Sequence, residues 1–120
     1  MNNYTISIQD RTRNFASRVI KAYAELNKRE YSDAGRILSK QFLRSGTSIG
    51  ANCAEAEFSQ SRKDLLSKLS IALKEASETR YWMQLLTENN FVPVSKFTDM
   101  LDEINQIIKI LIASTKKLKE

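Results

Sequence analysis

A chain of 120 residues, 42% hydrophobic and 28% charged, is long enough for one packed domain, too short for two, and too apolar for disorder. It has no histidine, which removes the commonest general base and metal ligand, and one cysteine, which excludes an internal disulfide. The formal charge is +5, compatible with a polyanionic partner, and no run of about 18–20 apolar residues predicts a membrane span. With neither a disulfide framework nor a secretory leader to be read, the expected compartment is the cytoplasm.

The first nine residues alternate Tyr4, Ile6 and Ile8, the pattern of a short extended arm. Asp10 is a candidate N-cap for a first helix over about residues 10–29. Phe15, Val19, Ala22, Tyr23 and Leu26 recur at three- and four-residue steps and define its inward stripe. Arg11, Arg18, Lys21 and Lys28 recur helically on a neighbouring flank, with Arg13 and Arg29 close by. Residues 1–30 carry twice as many basic as acidic side chains, so the excess of charge falls mostly here. Such a flank is a solvated face or a ridge that contacts phosphates.

Ser32 or Asp33 opens a second helix, over about residues 33–58. Leu38, Phe42, Ser45, Ile49, Asn52 and Ala56 follow a four-three rhythm, the seam of a bundle. Arg44, Ser48, Ala51 and Glu55 form a second, small and polar stripe beside it. The stretch Arg44–Glu57 is rich in Gly, Ala and Ser, which lets neighbouring backbones come close. A helix with two such seams serves two neighbours, one inside the subunit and one outside. Cys53 sits beside the apolar seam and reads as a small core residue, since no histidine activates its thiol.

Ser61 with Asp64 resembles a capping box, with Asp in the usual Glu place, and predicts a third helix over about residues 62–89. Leu65, Leu69, Ala72, Ala76, Thr79, Met83 and Leu86 keep the rhythm, and Leu66, Leu73 and Arg80 lie alongside. Ile71, Glu78, Trp82 and Leu85 occupy another flank, where Trp82 and Tyr81 are candidate interface aromatics. Asn89 and Asn90 stop this helix, and Pro93 forbids its continuation. Ser95 is a candidate cap for a fourth helix over about residues 95–118. Phe97, Leu101, Ile104, Ile108, Leu111, Thr115 and Leu118 form its seam, and Met100, Ile107, Ile110 and Ile112 widen the apolar face. Lys116, Lys117 and Lys119 suit the negative end of its dipole.

Helices of about 20–28 residues joined by short connections predict an all-α, antiparallel up-down-up-down four-helix bundle filling residues 1–120 as a single domain. Seams of 3.5-residue period add left-handed coiling.

Chemistry is sparse. A carboxylate-bridged di-metal site would need Glu-x-x-His pairs, and there is no histidine. Ser45, Ser48 and Cys53 lack an adjacent base of the usual kind. Gly46 and Gly50 lie inside a helix and not in a phosphate loop before one. No catalytic, cofactor-binding or metal-binding residue is therefore nominated, and no enzymatic activity is expected. Asn52, Glu55, Glu78 and Arg80 are expected to pair across the second and third helices or between subunits and so fix register, or else to line a shared pocket.

The segment FLRSGTSIGANCAEAE, followed by KLSIALKEASETRYW, resembles the small bacterial four helix bundle protein family, also called the 23S ribosomal RNA intervening-sequence or S23 proteins. Arg44, Ser45, Ser48, Ile49, Asn52, Ala54 and Glu55 match the family's first block. Ile71, Ala72 and Glu78 match its second. The chain departs at Cys53, where Ile is common, and at Ala56 or Glu57, where Gly is common. The resemblance implies assembly into a ring-like homopentamer, and kinship with the nucleic-acid-binding accessory protein of diversity-generating retroelements.

Two functions follow as expectations. One is a non-enzymatic oligomer that binds RNA or DNA through Arg11, Arg13, Arg18, Lys21, Lys28 and Arg29. The other is a protein-binding scaffold without nucleic-acid affinity, anchored by Tyr81 or Trp82.

Overall fold

The computed structural model describes residues 6–28 and 32–120. These hold four helices and no strand: α1 (Ile8–Leu26), α2 (Asp33–Ala56), α3 (Arg62–Glu88) and α4 (Val94–Lys119). Arg29 and Tyr4 lie outside the described residues. Of the expected arm, Ile6 has no regular structure and Ile8 already begins α1.

The helix starts are decided by serines. Ser7, and not Asp10, caps α1, because its Oγ accepts from the Asp10 N–H at 3.1 Å. Asp10 instead lies in the first turn, where a carboxylate suits the positive end of the dipole. Ser32 caps α2 by accepting from Gly35 N at 3.3 Å. Ser61 caps α3 by accepting from Asp64 N at 3.0 Å. The Asp64 carboxylate reaches back to Gln60 N at 3.2 Å, one residue beyond the usual reciprocal bond. At α4 the cap position is Pro93 and not Ser95. The ladder begins with Lys96 N donating to Pro93 O at 3.0 Å, and no side chain caps it.

Helix ends are equally local. Asn27 ends α1 earlier than its periodicity suggests, its amide donating to Tyr23 O at 2.8 Å. Ser59 Oγ donates to Ala56 O at 2.8 Å where α2 stops. After α3, Asn90 takes a positive φ of 63°, and Phe91 N and Val92 N both donate to Leu86 O. Asparagine tolerates that left-handed conformation better than most side chains.

The helices occupy the corners of a square: α1 beside α2, α2 beside α3, α3 beside α4, and α4 more lightly against α1. Between α2 and α3, Ser45 meets Thr79 and Glu55 meets Lys68, so partners step in opposite senses along the two helices. The core is built by the seams. Phe15 and Val19 from α1, Phe42 and Ile49 from α2, Met83 and Leu86 from α3, and Ile104 and Leu111 from α4 are almost fully enclosed. Phe42 and Phe97 cross the square with ring centroids 5.3 Å apart.

Cys53 is wholly buried, as expected of a small core residue, whereas Asn52, expected in the seam, is only partly buried because the seam turns toward its neighbour. Thr12 is buried as well, because its hydroxyl donates to Ile8 O at 2.7 Å and so needs no water. On the outer face of α4, Ile112 stays half exposed, so it does not widen the buried face.

Candidate functional site

The polar stripe of α2 is tied mainly to α3. Arg44 donates to Glu75 Oε1 at 3.3 Å and to Glu78 Oε2 at 2.9 Å, one guanidinium spanning two carboxylates a helical turn apart. Glu75 is the more enclosed of the two, with 11% of its side chain exposed against 35% for Glu78. On the core side of this fork, Thr79 Oγ1 donates to Ser45 Oγ at 2.9 Å, each the next residue after Glu78 and Arg44. Glu55 meets Lys68 at 3.4 Å, a long and exposed pair.

Two expected cross-helix partners behave differently. Asn52 donates its amide to Ser48 O at 2.9 Å, and Ser48 donates to Arg44 O at 2.7 Å, so both bond along their own helix. Arg80 turns away from α2 and donates to Asn105 of α4 at 2.9 Å. Glu75 and Glu78, three residues apart on α3, read from the sequence as a solvated or ion-paired couple, and both face the same arginine.

The basic flank of α1 divides. Arg11 is fastened to α4: Nε and Nη2 donate to the two Glu103 oxygens at 2.7 and 2.9 Å, and Nη2 also to Gln106 at 2.6 Å. The hydrogen bonds that Arg11 donates to Glu103 raise its guanidinium above the ordinary value against the opposing effect of burial, and the charges of Glu103 and Asp102 add to the rise. Lys28 pairs with Glu25 at 3.0 Å on the surface. Arg13, Arg18 and Lys21 are exposed, with no carboxylate in ion-pair range among the described residues. Arg13 borders a groove of about 330 Å³ between α1 and α2, which also meets Asp10, Gly50, Ala54 and the exposed ring of Phe58.

Tyr81 and Trp82 make an edge-on ring pair, centroids 5.1 Å apart at 64°. Tyr81 is 53% exposed, and Trp82 is partly buried with its indole N–H enclosed and without an acceptor among the described residues. Cys53 is enclosed beside Thr12, and burial pushes its thiol up, the Thr12 hydrogen bond opposing. Among the described residues no three Cys, Asp or Glu side chains converge as a metal site, and no helix is long and apolar enough to cross a membrane.

What these features define is an all-α four-helix bundle whose polar side chains lock helix to helix. Its membership follows from comparison. The family profile described as 23S rRNA-intervening sequence protein matches residues 5–113, and the chain belongs to that family. It is similar to the crystal structure of a protein of unknown function from the S23 ribosomal protein family of Bacteroides thetaiotaomicron. The two share 41% identity and a TM-score of 0.83, over 92% of this chain and 99% of that one. No curated protein matches the chain.

Proposed function

We propose that the protein is a non-enzymatic, cytoplasmic nucleic-acid-binding accessory protein. In this reading its bundle is up-down-up-down and left-handed, and it works as a ring-like homo-oligomer, most simply a pentamer. The observation that carries the proposal is a surplus of exposed cations without carboxylate partners, Arg13, Arg18 and Lys21 among them. A ring of five would multiply the formal +5 of each chain fivefold. Phosphate backbones reward such multisite contacts by releasing counterions. No helix-turn-helix, RNA-recognition sheet or zinc finger accompanies these cations, so the contact is to phosphate and not to base sequence.

The test is light scattering for mass, followed by salt titration of binding to generic RNA and duplex DNA. The expected result is a multimer whose affinity falls by about 0.7–0.9 log units per log unit of salt for each phosphate neutralised. A lone 13.8 kDa particle that ignores both nucleic acids overturns the proposal.

A second reading is favoured by one feature, the enclosed indole N–H of Trp82 beside exposed Tyr81. A buried donor without an acceptor costs about 1–3 kcal/mol, and an acceptor from another protein would relieve it. On that reading the bundle is a protein-binding scaffold, whose binding survives high salt and is lost on Trp82→Ala.

A further inference from the structure

We infer that the outer face shared by α3 and α4 is the track for a single-stranded nucleic acid. The inference rests on the nucleic-acid reading above and moves its main site away from α1. Along α4, Asn105, Lys109, Ile112, Lys116 and Lys119 are spaced four, three, four, three and are all exposed, so they form one stripe. Along α3, Lys63, Ser70, Lys74, Ser77 and Tyr81 form another, also exposed throughout. Two contacts bind these stripes into one surface. Arg80 donates to Asn105 Oδ1 at 2.9 Å, and Arg62 donates to the Lys117 and Leu118 carbonyls at 3.1 Å each.

This face is acid-free between Lys63 and Tyr81 and between Asn105 and Lys119, because the acidic residues of α3 within that span point elsewhere. Glu75 and Glu78 are held by Arg44 of α2, and Asp64 by the Gln60 backbone. Glu88 and Asp102 appear only at its far end. No lysine or arginine of the face has an ion pair among the described residues. The cations gathered here outnumber the chain's whole surplus of +5, so the remaining surface is balanced or slightly acidic. On α1, by contrast, Arg11 is already neutralised by Glu103.

The chemistry fits a polyphosphate. Ser70, Ser77 and the Asn105 amide N–H₂, left free because Arg80 takes its oxygen, interleave the cations with neutral donors of the kind that bind phosphate oxygens. Ile112 is the one exposed aliphatic residue on the two stripes, too little apolar area for a membrane surface. Tyr81, held edge-on by Trp82, closes the track with an exposed ring on which a base can stack. From Lys63 to Tyr81 the helix advances roughly 27 Å, the length of about eight stacked nucleotides. A face of one sign also repels its own copy, so self-association leaves it open.

The test compares two charge reversals of equal size in the full-length protein. One variant carries Lys63→Glu, Lys109→Glu and Lys116→Glu; the other carries Arg13→Glu, Arg18→Glu and Lys21→Glu. The probe is a fluorescein-labelled 20-nucleotide RNA of mixed sequence, titrated from low to moderate salt, with Tm measured for both variants. The expected result is a loss of roughly tenfold or more, with a salt slope shallower by about two units, for the α3/α4 variant, and a distinctly smaller loss for the α1 variant. A neutral set, Lys63→Gln, Lys109→Gln and Lys116→Gln, keeps the test open if the reversal unfolds the chain, and should lose affinity in the same direction. Equal losses from both reversals, or a larger loss from α1, overturn this inference and leave the nucleic-acid reading standing. Wild-type protein that ignores the RNA, or that binds only vesicles rich in phosphatidylserine, overturns both.

Discussion

Val19 of α1 lies directly over Gly46 of α2: a Cβ placed on Gly46 would stand 2.8 Å from each of the two Val19 methyl carbons. Both residues are buried, and β-branched Val19 has no rotamer that removes both methyls at once. Gly46 therefore sets how closely these helices approach. Gly50, whose missing Cβ would meet the Thr12 carbonyl oxygen at 3.1 Å, repeats the device a turn later.

Gly46→Ala should accordingly destabilise the fold, against its helix propensity. Propensity favours alanine by about 0.8–1.0 kcal/mol, whereas overpacking a tight core costs about 1–3 kcal/mol. The expected net loss is about 1 kcal/mol in urea unfolding. Adding Val19→Ala should recover part of it, with a favourable coupling of about 1 kcal/mol in the double-mutant cycle. An additive cycle would show that the two residues do not restrain each other.

The Arg44 fork should behave asymmetrically. Glu78 and Arg44 have 35% and 51% of their side chains exposed, so water screens that pair and its loss costs about 0–1 kcal/mol. Glu75 is nearly enclosed, and removing its partner strands a charge. Arg44→Met should therefore cost more than Glu78→Gln, by about 1 kcal/mol, and adding Glu75→Gln to Arg44→Met should restore most of the difference. Equal effects of the two single substitutions on chemical denaturation would contradict this ranking.

Helix number and the apolar seams were legible because burial follows a period that the sequence displays. Phe42, Ser45, Ile49 and Ala56 all fall where the four-three rhythm places them. Caps were less legible, since Ser7 and Asp10 are both good capping residues and only backbone geometry decides between them. Side-chain pairing was least legible. Nothing in the linear order says that Arg11 will meet Glu103 or that Glu75 and Glu78 will turn toward Arg44. Charge counted along the chain consequently weights the first helix. Charge counted after pairing weights α3 and α4, where Lys109 and Lys116 keep their full field.

Glu55 separates folding from assembly. Within one chain, among the described residues, it pairs with Lys68 alone at 3.4 Å, with 61% of its side chain exposed. Such a pair is worth about 0–1 kcal/mol, so Glu55→Ala should leave the Tm of the dilute protein nearly unchanged. If the small polar stripe of α2 is a contact between copies, the same substitution loosens the multimer. Sedimentation over a range of concentrations should show a lower mass for the variant. Unchanged mass would remove that stripe from the assembly surface.

Cys53 offers a pH test of burial. Its thiol is raised above an ordinary 9.0 chiefly by desolvation, so in alkali the unfolded chain loses this proton before the folded one does. The folded state then binds more protons than the unfolded state, and stability falls as pH rises through and above the unfolded value. The slope from this group approaches about 1.4 kcal/mol per pH unit at most. The readout is the difference from Cys53→Ala, which isolates this one group. Wild type should lead the variant in urea midpoint at pH 7, where the thiol fills its site, and lose much of that lead by pH 10. Parallel curves for the two proteins would mean that water reaches the sulfur, and that α1 and α2 do not close over it.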